Sequence, residues 1–449
     1  MMTPLKDLPR NSIVGGLALA LALTAFAPSA QANVYATNIK INGGTTNISV
    51  QAGASVNISY ILNEPASAGV TIKVLSGATP VRTISLAAGA AGARRGTNAV
   101  VWDGMDNNSN NVPGGNYSIS ITAASSGYSG WTVTTDDNND GNYSWDPRGI
   151  AVDRNTNSPY YGRVFVGNSS DNSNGGTSPN YGDYLGIQKL NADGSYADEG
   201  GFSTGGVAWG GENWAPWKIR VSDDDKVYIM DALYYGDVYR FDPVISTNSM
   251  LHVLRSDNHP VNTNLGVAAD LIGMAVVGTG TNTQLWITDN SSPGSAGILK
   301  YAITADGTCA TNDTGTTVVG VGGSLDMAPY AVALDKSGNI YTVQNLVNSG
   351  NASVRVLSFP AYDPATNSGL PELTATWAVG AKDDLLAGLH GLAVDPTGTY
   401  VAVTGWGTSG LNGSTTVFYA TNGAVVTNID REVSGSHADS DADWDAVGN

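Results

Sequence analysis

The sequence predicts an all-β protein of two modules, a β-sandwich followed by a six-bladed β-propeller. Three observations point there. Only 13% of the 449 residues are charged and 56 are glycine, a composition poor in helix formers and suited to strands and tight turns. Short alternating segments separated by turn clusters fill residues 34–124. From residue 147 onward, one strand–turn–strand pattern recurs, and self-similarity at a fixed period marks a repeat architecture.

Charge narrows the function classes. The chain carries 39 acidic and 21 basic side chains, a net charge of -18. Nucleic-acid binding needs clustered Lys and Arg on phosphate, and anionic lipid attracts basic segments, so neither partner is expected. Residues 1–32 read as a secretory signal. Lys6 and Arg10 form the basic start, residues 13–26 the apolar run, and Ala30-Gln31-Ala32 the cleavage site, so the mature chain starts at Asn33. The apolar run falls short of the ~20 residues a span needs. The mature chain is therefore expected without a membrane span, exported to the periplasm, cell surface or exterior. Cys309 is the only cysteine, which excludes an intramolecular disulfide. It lies in an expected loop with no base motif beside it, which argues against a catalytic thiol.

The first module spans residues 33–124. Strands are expected at 34–41, 46–50, 55–62, 69–75, 80–86, 96–102 and 115–123. Residues 55–62 alternate polar and apolar, as a half-buried strand does. At the end of the module stand Trp102-Asp103-Gly104 with Asp106, Asn107 and Asn108, then Val112-Pro113, Gly115 and Tyr117. This WDGxDxxxxxVPxGxY pattern resembles the Ig-like module first known from the flagellar hook-capping protein, which recurs in many secreted bacterial proteins. The resemblance implies a sandwich and no catalysis. Asp103, Asp106 and Asn107 could bind calcium or simply supply turn chemistry, and turn chemistry is the expectation.

An acidic linker, 125–146, leads into the second module, 147–449. The repeated pairs are 147–153 with 164–167, 216–222 with 227–231, 271–277 with 285–289, 329–335 with 340–344, and 389–395 with 400–404. A sixth begins at Ser440. The equivalents of Asp153 are Ser222, Val277, Asp335, Asp395 and Asp445, spaced by 69, 55, 58, 60 and 50 residues. A third apolar segment follows the pairs at 186–190, 237–241, 297–301, 354–358 and 416–419. Several strands per repeat in fixed order, without helices, predict a propeller. Residues 335–341 (DKSGNIY) and the G-x-A-V-D cores resemble the NHL-type propeller family, which includes binding platforms, lyases and lactonases. The last repeat is unfinished, which would leave an open edge. Two explanations stand: a chain truncated at its C-terminus, or closure by an N-terminal strand such as residues 131–135.

Candidate chemistry is sparse. Asp136, Asn138 and Asp140, followed by Gly141, match the D-x-D/N-x-D/N-G calcium loop. The bidentate Glu is missing, since Pro147 stands at position 12, so a solvated linker is the competing reading. Asp439, Asp441, Asp443 and Asp445 form a second acidic cluster, read either as a metal site or as a solvated terminus. The propeller resemblance implies a ligand ring at one channel mouth, formed by Arg148, Trp217, Ile272, Tyr330, His390 and Ser440. Trp209, Glu212, Asn213 and Trp214 precede the second repeat in a Gly-rich loop. Exposed, they could stack on and hydrogen-bond a sugar or peptide; packed between blades, they would be core.

No H-E-x-x-H, G-x-S-x-G or phosphate-binding loop occurs in the sequence. The first reading is an exported, non-enzymatic binding or scaffold protein that engages a glycan, a peptide or a cell-surface protein. The second is a lyase- or lactonase-type enzyme using His390, Arg148 and Tyr330, with calcium as a channel ion. The third is a structural component of the cell surface.

Overall fold

The computed structural model describes residues 34–126, 147–169, 185–209, 215–231, 236–255, 266, 271–289, 297–321, 325, 329–345, 354–365, 373–380, 389–405, 414–430 and 441–444. The expected signal segment, the expected 131–135 strand, the 136–140 loop, Glu212, Asn213, Trp214, Asp439, Ser440 and Asp445 lie outside them.

The first module is an Ig-like sandwich of two three-stranded antiparallel sheets. One contains Ala36–Ile41, Val56–Leu62 and Gly96–Trp102; the other contains Thr79–Leu86, Gly69–Ser76 and Ser118–Ala124. Alternation places Val56, Ile58, Tyr60 and Leu62 inside, against Val70, Ile72 and Val74 of the facing sheet. Trp102 closes the core edge-on to Tyr117, and its indole N–H donates to the Met105 carbonyl at 2.8 Å. The segment 46–50, expected as a strand, forms none. Its two apolar side chains, Ile48 and Val50, are exposed, so pairing there would bury too little to repay ordering the backbone.

The following turn is built by side-chain capping of the backbone. Asp103 accepts the Met105 N–H at 3.0 Å, and Asp106 accepts those of Asn108 and Asn110 at 2.8 and 2.9 Å. Asn107 accepts the Thr83 N–H at 3.0 Å. The backbone N–H of Asn110 leads in holding the Asp106 carboxyl below its ordinary pKa.

The second module is a β-propeller. Among the described residues it has five four-stranded antiparallel sheets, each in chain order. Their inner strands are Pro147–Val152, Lys218–Val221, Leu271–Val277, Pro329–Leu334 and Leu389–Val394. Each inner strand neighbours the next in chain order, from the first sheet to the fifth. Leu, Ile, Val and Met side chains of successive sheets interlock into shared cores, such as Val238, Leu254, Met274 and Leu285 between the second and third. Fourth strands, which the repeats had not signalled, complete each sheet; examples are Leu251–Arg255 and Thr316–Gly320.

Residues 441–444 take the place where a sixth inner strand was expected, and they act through side chains rather than through a ladder. Asp443 accepts the Val152 N–H of the first sheet at 2.8 Å. Trp444 packs on Ala393, Ala402 and Val417 of the fifth. Asp441, its side chain fully buried, lies 2.6 Å from Arg220 and 3.4 Å from Lys218 of the second sheet's inner strand. The segment thus straps three sheets together. The sandwich in turn rests on the first sheet. Lys40 and Asn38 bind Asp198 at 2.6 and 2.9 Å, Arg95 donates to the Asp193 carbonyl at 2.6 Å, and Tyr35 meets Tyr161 at 5.3 Å between ring centroids.

Candidate functional site

Two channel mouths follow from the common direction of the inner strands. At the mouth where they begin, Arg148 stacks over Trp217 at 5.4 Å, and the Trp217 indole donates to the Ile272 carbonyl at 2.5 Å. Arg148 also donates to Ser169 at 3.3 Å. The expected ring residues of the first three sheets are therefore joined. However, Trp217 and Ile272 are buried, and the Trp217 N–H is already committed. Tyr330 is half-buried, and burial raises its hydroxyl above the ordinary tyrosine value. His390 lies on the inner strand of the fifth sheet, where the structure describes only its backbone.

Trp209 is not an exposed platform. It is buried with Ala151, Phe165, Ile219 and Phe241 between the first two sheets. Its N–H donates to the Thr204 carbonyl at 2.9 Å, and its ring meets the edge of Tyr239. Nothing in the spacing distinguished this packing from exposure, because an aromatic in a Gly-rich loop serves either. Cys309 is likewise in the core, beside Met274 and Tyr301, where burial pushes its thiol up to about 12. A thiol so placed is inert as a nucleophile.

The opposite mouth holds an open cavity of about 800 Å³. It is formed where the inner strands end, by residues such as Val221, Val277, Leu334 and Val394, and it extends between the third and fourth sheets along Trp286, Lys300 and Tyr362. The expected ring lay at the other end of the same strands, so the sequence reading missed this cavity. The repeat reference positions mark it. Asp335 and Asp395 line it, and both are turn caps. Asp335 accepts the N–H groups of Ser337 and Asn339 at 2.8 and 2.9 Å; Asp395 accepts those of Thr397, Thr399 and Tyr400 at 3.0, 2.6 and 2.6 Å. The aspartate that defines the repeat therefore closes the inner hairpin of the blade.

The cavity is electrostatically mixed. Arg154, Arg220, Lys300 and Lys336 face Asp223, Asp335, Asp395 and Asp443. Arg220 is held by Asp441 through two contacts of 2.6 and 3.3 Å. Burial works against charge at all three members of the buried cluster. It pushes Lys218 down to about 8, whereas Arg220, opposed by burial but facing Asp441, stays above its ordinary value. The Asp441 carboxyl is likewise opposed by burial, yet Arg220 and Lys218 hold it below the ordinary range.

Asp153, the first-sheet equivalent, is fully buried; burial, then the nearby Asp225, raises its carboxyl to about 7. The groups that face it are Asp225, Arg163, Ser158 and the Asn155 N–H. Unfolded, it titrates near 4. Between about pH 4 and 7 the native state holds the extra proton, so its contribution to stability is full at low pH and is lost as pH rises through 7. Asp153→Asn is expected to leave stability unchanged at pH 4 and to raise it by about 1–3 kcal/mol at pH 8. Urea unfolding at the two pH values checks this; an equal effect at both would contradict it.

A further polar network occupies the second sheet. His252 lies 3.0 Å from Asp237, Tyr239 donates to Asp237 at 3.1 Å, and Arg255 contacts the other ring nitrogen of His252. Both imidazole nitrogens are thus engaged within the protein, which suits a structural histidine. Among the described residues, no group of three or more His, Cys, Asp or Glu side chains is placed to hold a metal ion, and no helix is long and apolar enough to cross a membrane.

Residues 45–127 match the family model described as the FlgD Ig-like domain. Among solved structures, the chain is similar to TolB from Acinetobacter baumannii, at 12% identity over 95% of this chain and 86% of that one, with a TM-score of 0.37. It is also similar to XC5397 from Xanthomonas campestris, described as a gluconolactonase, at 16% identity over 58% of this chain and 69% of the other, with a TM-score of 0.35. A nidogen/laminin complex matches at 14% identity over 45% of this chain and 61% of that chain, with a TM-score of 0.28. No curated protein matches.

Proposed function

We propose that the chain is an exported, non-enzymatic binding or scaffold protein with an NHL-type propeller. The propeller engages its ligand at the cavity of about 800 Å³, and the Ig-like module is a docking unit fixed to the first sheet. The cavity is the observation that carries this reading. It is concave, lies at the end of rigid inner strands, and combines aromatic walls with a few charged groups, as ligand sites do. A glycan, a peptide or a segment of a surface protein are the ligand classes that fit an exported chain without clustered basic surface.

Ser337 lies exposed at the lip of the cavity. Ser337→Trp is expected to abolish binding to the hits of a glycan and peptide array while leaving the urea midpoint within error of the parent. Hits that survive the substitution would move the site elsewhere. Turnover of lactone or polysaccharide substrates, lost in His390→Ala, would favour the enzyme reading instead.

A further inference from the structure

The cavity lining is balanced in number, four basic side chains against Asp223, Asp335, Asp395 and Asp443, but it is not paired side chain to side chain. The chain has only 21 lysines and arginines, and four of them, Arg154, Arg220, Lys300 and Lys336, line this one cavity. The carboxylates of Asp335 and Asp395 are turned onto the backbone N–H groups of their own hairpins. Asp443 accepts the N–H groups of Val152 and Trp444 and stands 3.9 Å from Arg154. Arg220 is satisfied by Asp441. No carboxylate among the described residues pairs with Lys300 or Lys336. The Lys300 ammonium sits instead over the faces of Trp286 and Tyr362, at 5.5 and 5.8 Å. On the same wall, the Trp286 indole N–H has no acceptor among the described residues, although the side chain is only 4% exposed. That N–H is sealed from solvent, whereas the Lys300 ammonium, held by two ring faces and by no carboxylate, keeps hydrogen-bond donors for an anionic oxygen entering the cavity.

We propose that the cavity binds a small organic anion, its carboxylate or phosphate held by Lys300 and Lys336 and its body resting against Tyr362. This rests on reading the cavity as the ligand site and names the ligand's chemistry. Charge-assisted bonds from lysine are the stronger class of hydrogen bond, and they weaken with salt to the extent that they are exposed.

Isothermal titration of the full chain with galacturonate, galactose 6-phosphate, inorganic phosphate and neutral galactose tests this. Lys336→Gln, a change at an exposed side chain, serves as the variant least able to disturb folding, and Lys300→Gln as the second. Binding of galacturonate or galactose 6-phosphate, weakened about tenfold or more by each substitution and by added salt, is the expected result. Which of the two binds identifies the anionic group. Galactose bound as well as galacturonate, and lost in Ser337→Trp, would overturn the anion while leaving the cavity as the site. Inorganic phosphate alone, or galacturonate affinity unchanged in both lysine variants, would also overturn it. No heat from any probe would remove the anion and the sugar together.

Discussion

Replacing Asp441 by alanine is expected to lower the unfolding free energy of the propeller by about 3–5 kcal/mol, seen as a fall in its urea midpoint. The carboxylate is fully buried between two cations that are themselves almost wholly buried, Lys218 and Arg220. Its removal strands both. Lys218, already pushed down to about 8, can shed its proton and escape part of the penalty. Arg220 cannot, because a guanidinium stays charged at any accessible pH. Lys218→Met in the Asp441→Ala background is therefore expected to recover part of the loss, by removing one stranded charge and leaving an apolar side chain of similar length against Trp217. Arg220→Met should recover more. A loss below about 1 kcal/mol for Asp441→Ala, typical of an exposed pair, would show that the strap does not hold the ring.

Trp102→Ala is expected to cost the sandwich about 3–5 kcal/mol. The indole is 5% exposed, packs edge-on to Tyr117, and donates to the Met105 carbonyl. Its loss leaves a cavity and an acceptor without its donor, and it unpins the turn that carries Asp103 and Asp106. Among the described residues the modules meet through polar contacts at Asp198 and Asp193 and through the ring pair of Tyr35 and Tyr161, and the sandwich core includes no propeller residue. The sandwich should therefore melt separately, with the propeller transition moved by less than about 1 kcal/mol. Calorimetry that resolves two transitions reads both, and a joint shift of equal size would show that the modules unfold as one.

Much of the fold was legible because it rests on local pattern. The alternation of residues 56–62 and the aspartate recurring at 153, 335 and 395 are backbone requirements: one side chain in, one out, then a turn whose N–H groups need a nearby acceptor. Such requirements are written within a few residues of where they act. The fourth strands were missed because outer strands face solvent on one side and need no strict apolar period. The segment 46–50 misled for the complementary reason, since it carried the period but met no partner.

The site was less legible. Repeat alignment identified the inner strands and their equivalent positions, yet alignment is indifferent to which end of a strand faces an open space. That depends on side-chain volume across several sheets. At the starting mouth Trp217 and Ile272 are buried; at the other end the small side chains of Ala275, Ala333 and Ala393 line the cavity. Lys300 and Trp286 face each other across neighbouring strands of one sheet, a pairing visible only once the register of the second and third strands was known. The acidic cluster at 441–443 was noticed for its charge, but its partners, Lys218, Arg220 and Val152, stand more than two hundred residues earlier.

That separation has a kinetic consequence. The bond from Val152 to Asp443 spans 291 residues, and that from Arg220 to Asp441 spans 221. Hairpins within each sheet form over short loops, and neighbouring sheets can dock in turn, but the ring cannot shut until the segment after all five has arrived. Contacts of such high order are slow to form and are paid for only at the end of folding. Up to that moment the chain is an arc with two exposed sheet faces, the state in which mispairing with another copy is easiest. Local strengthening of any one blade would leave that interval unchanged, whereas a tighter fit of Asp441, Asp443 and Trp444 would slow the reopening.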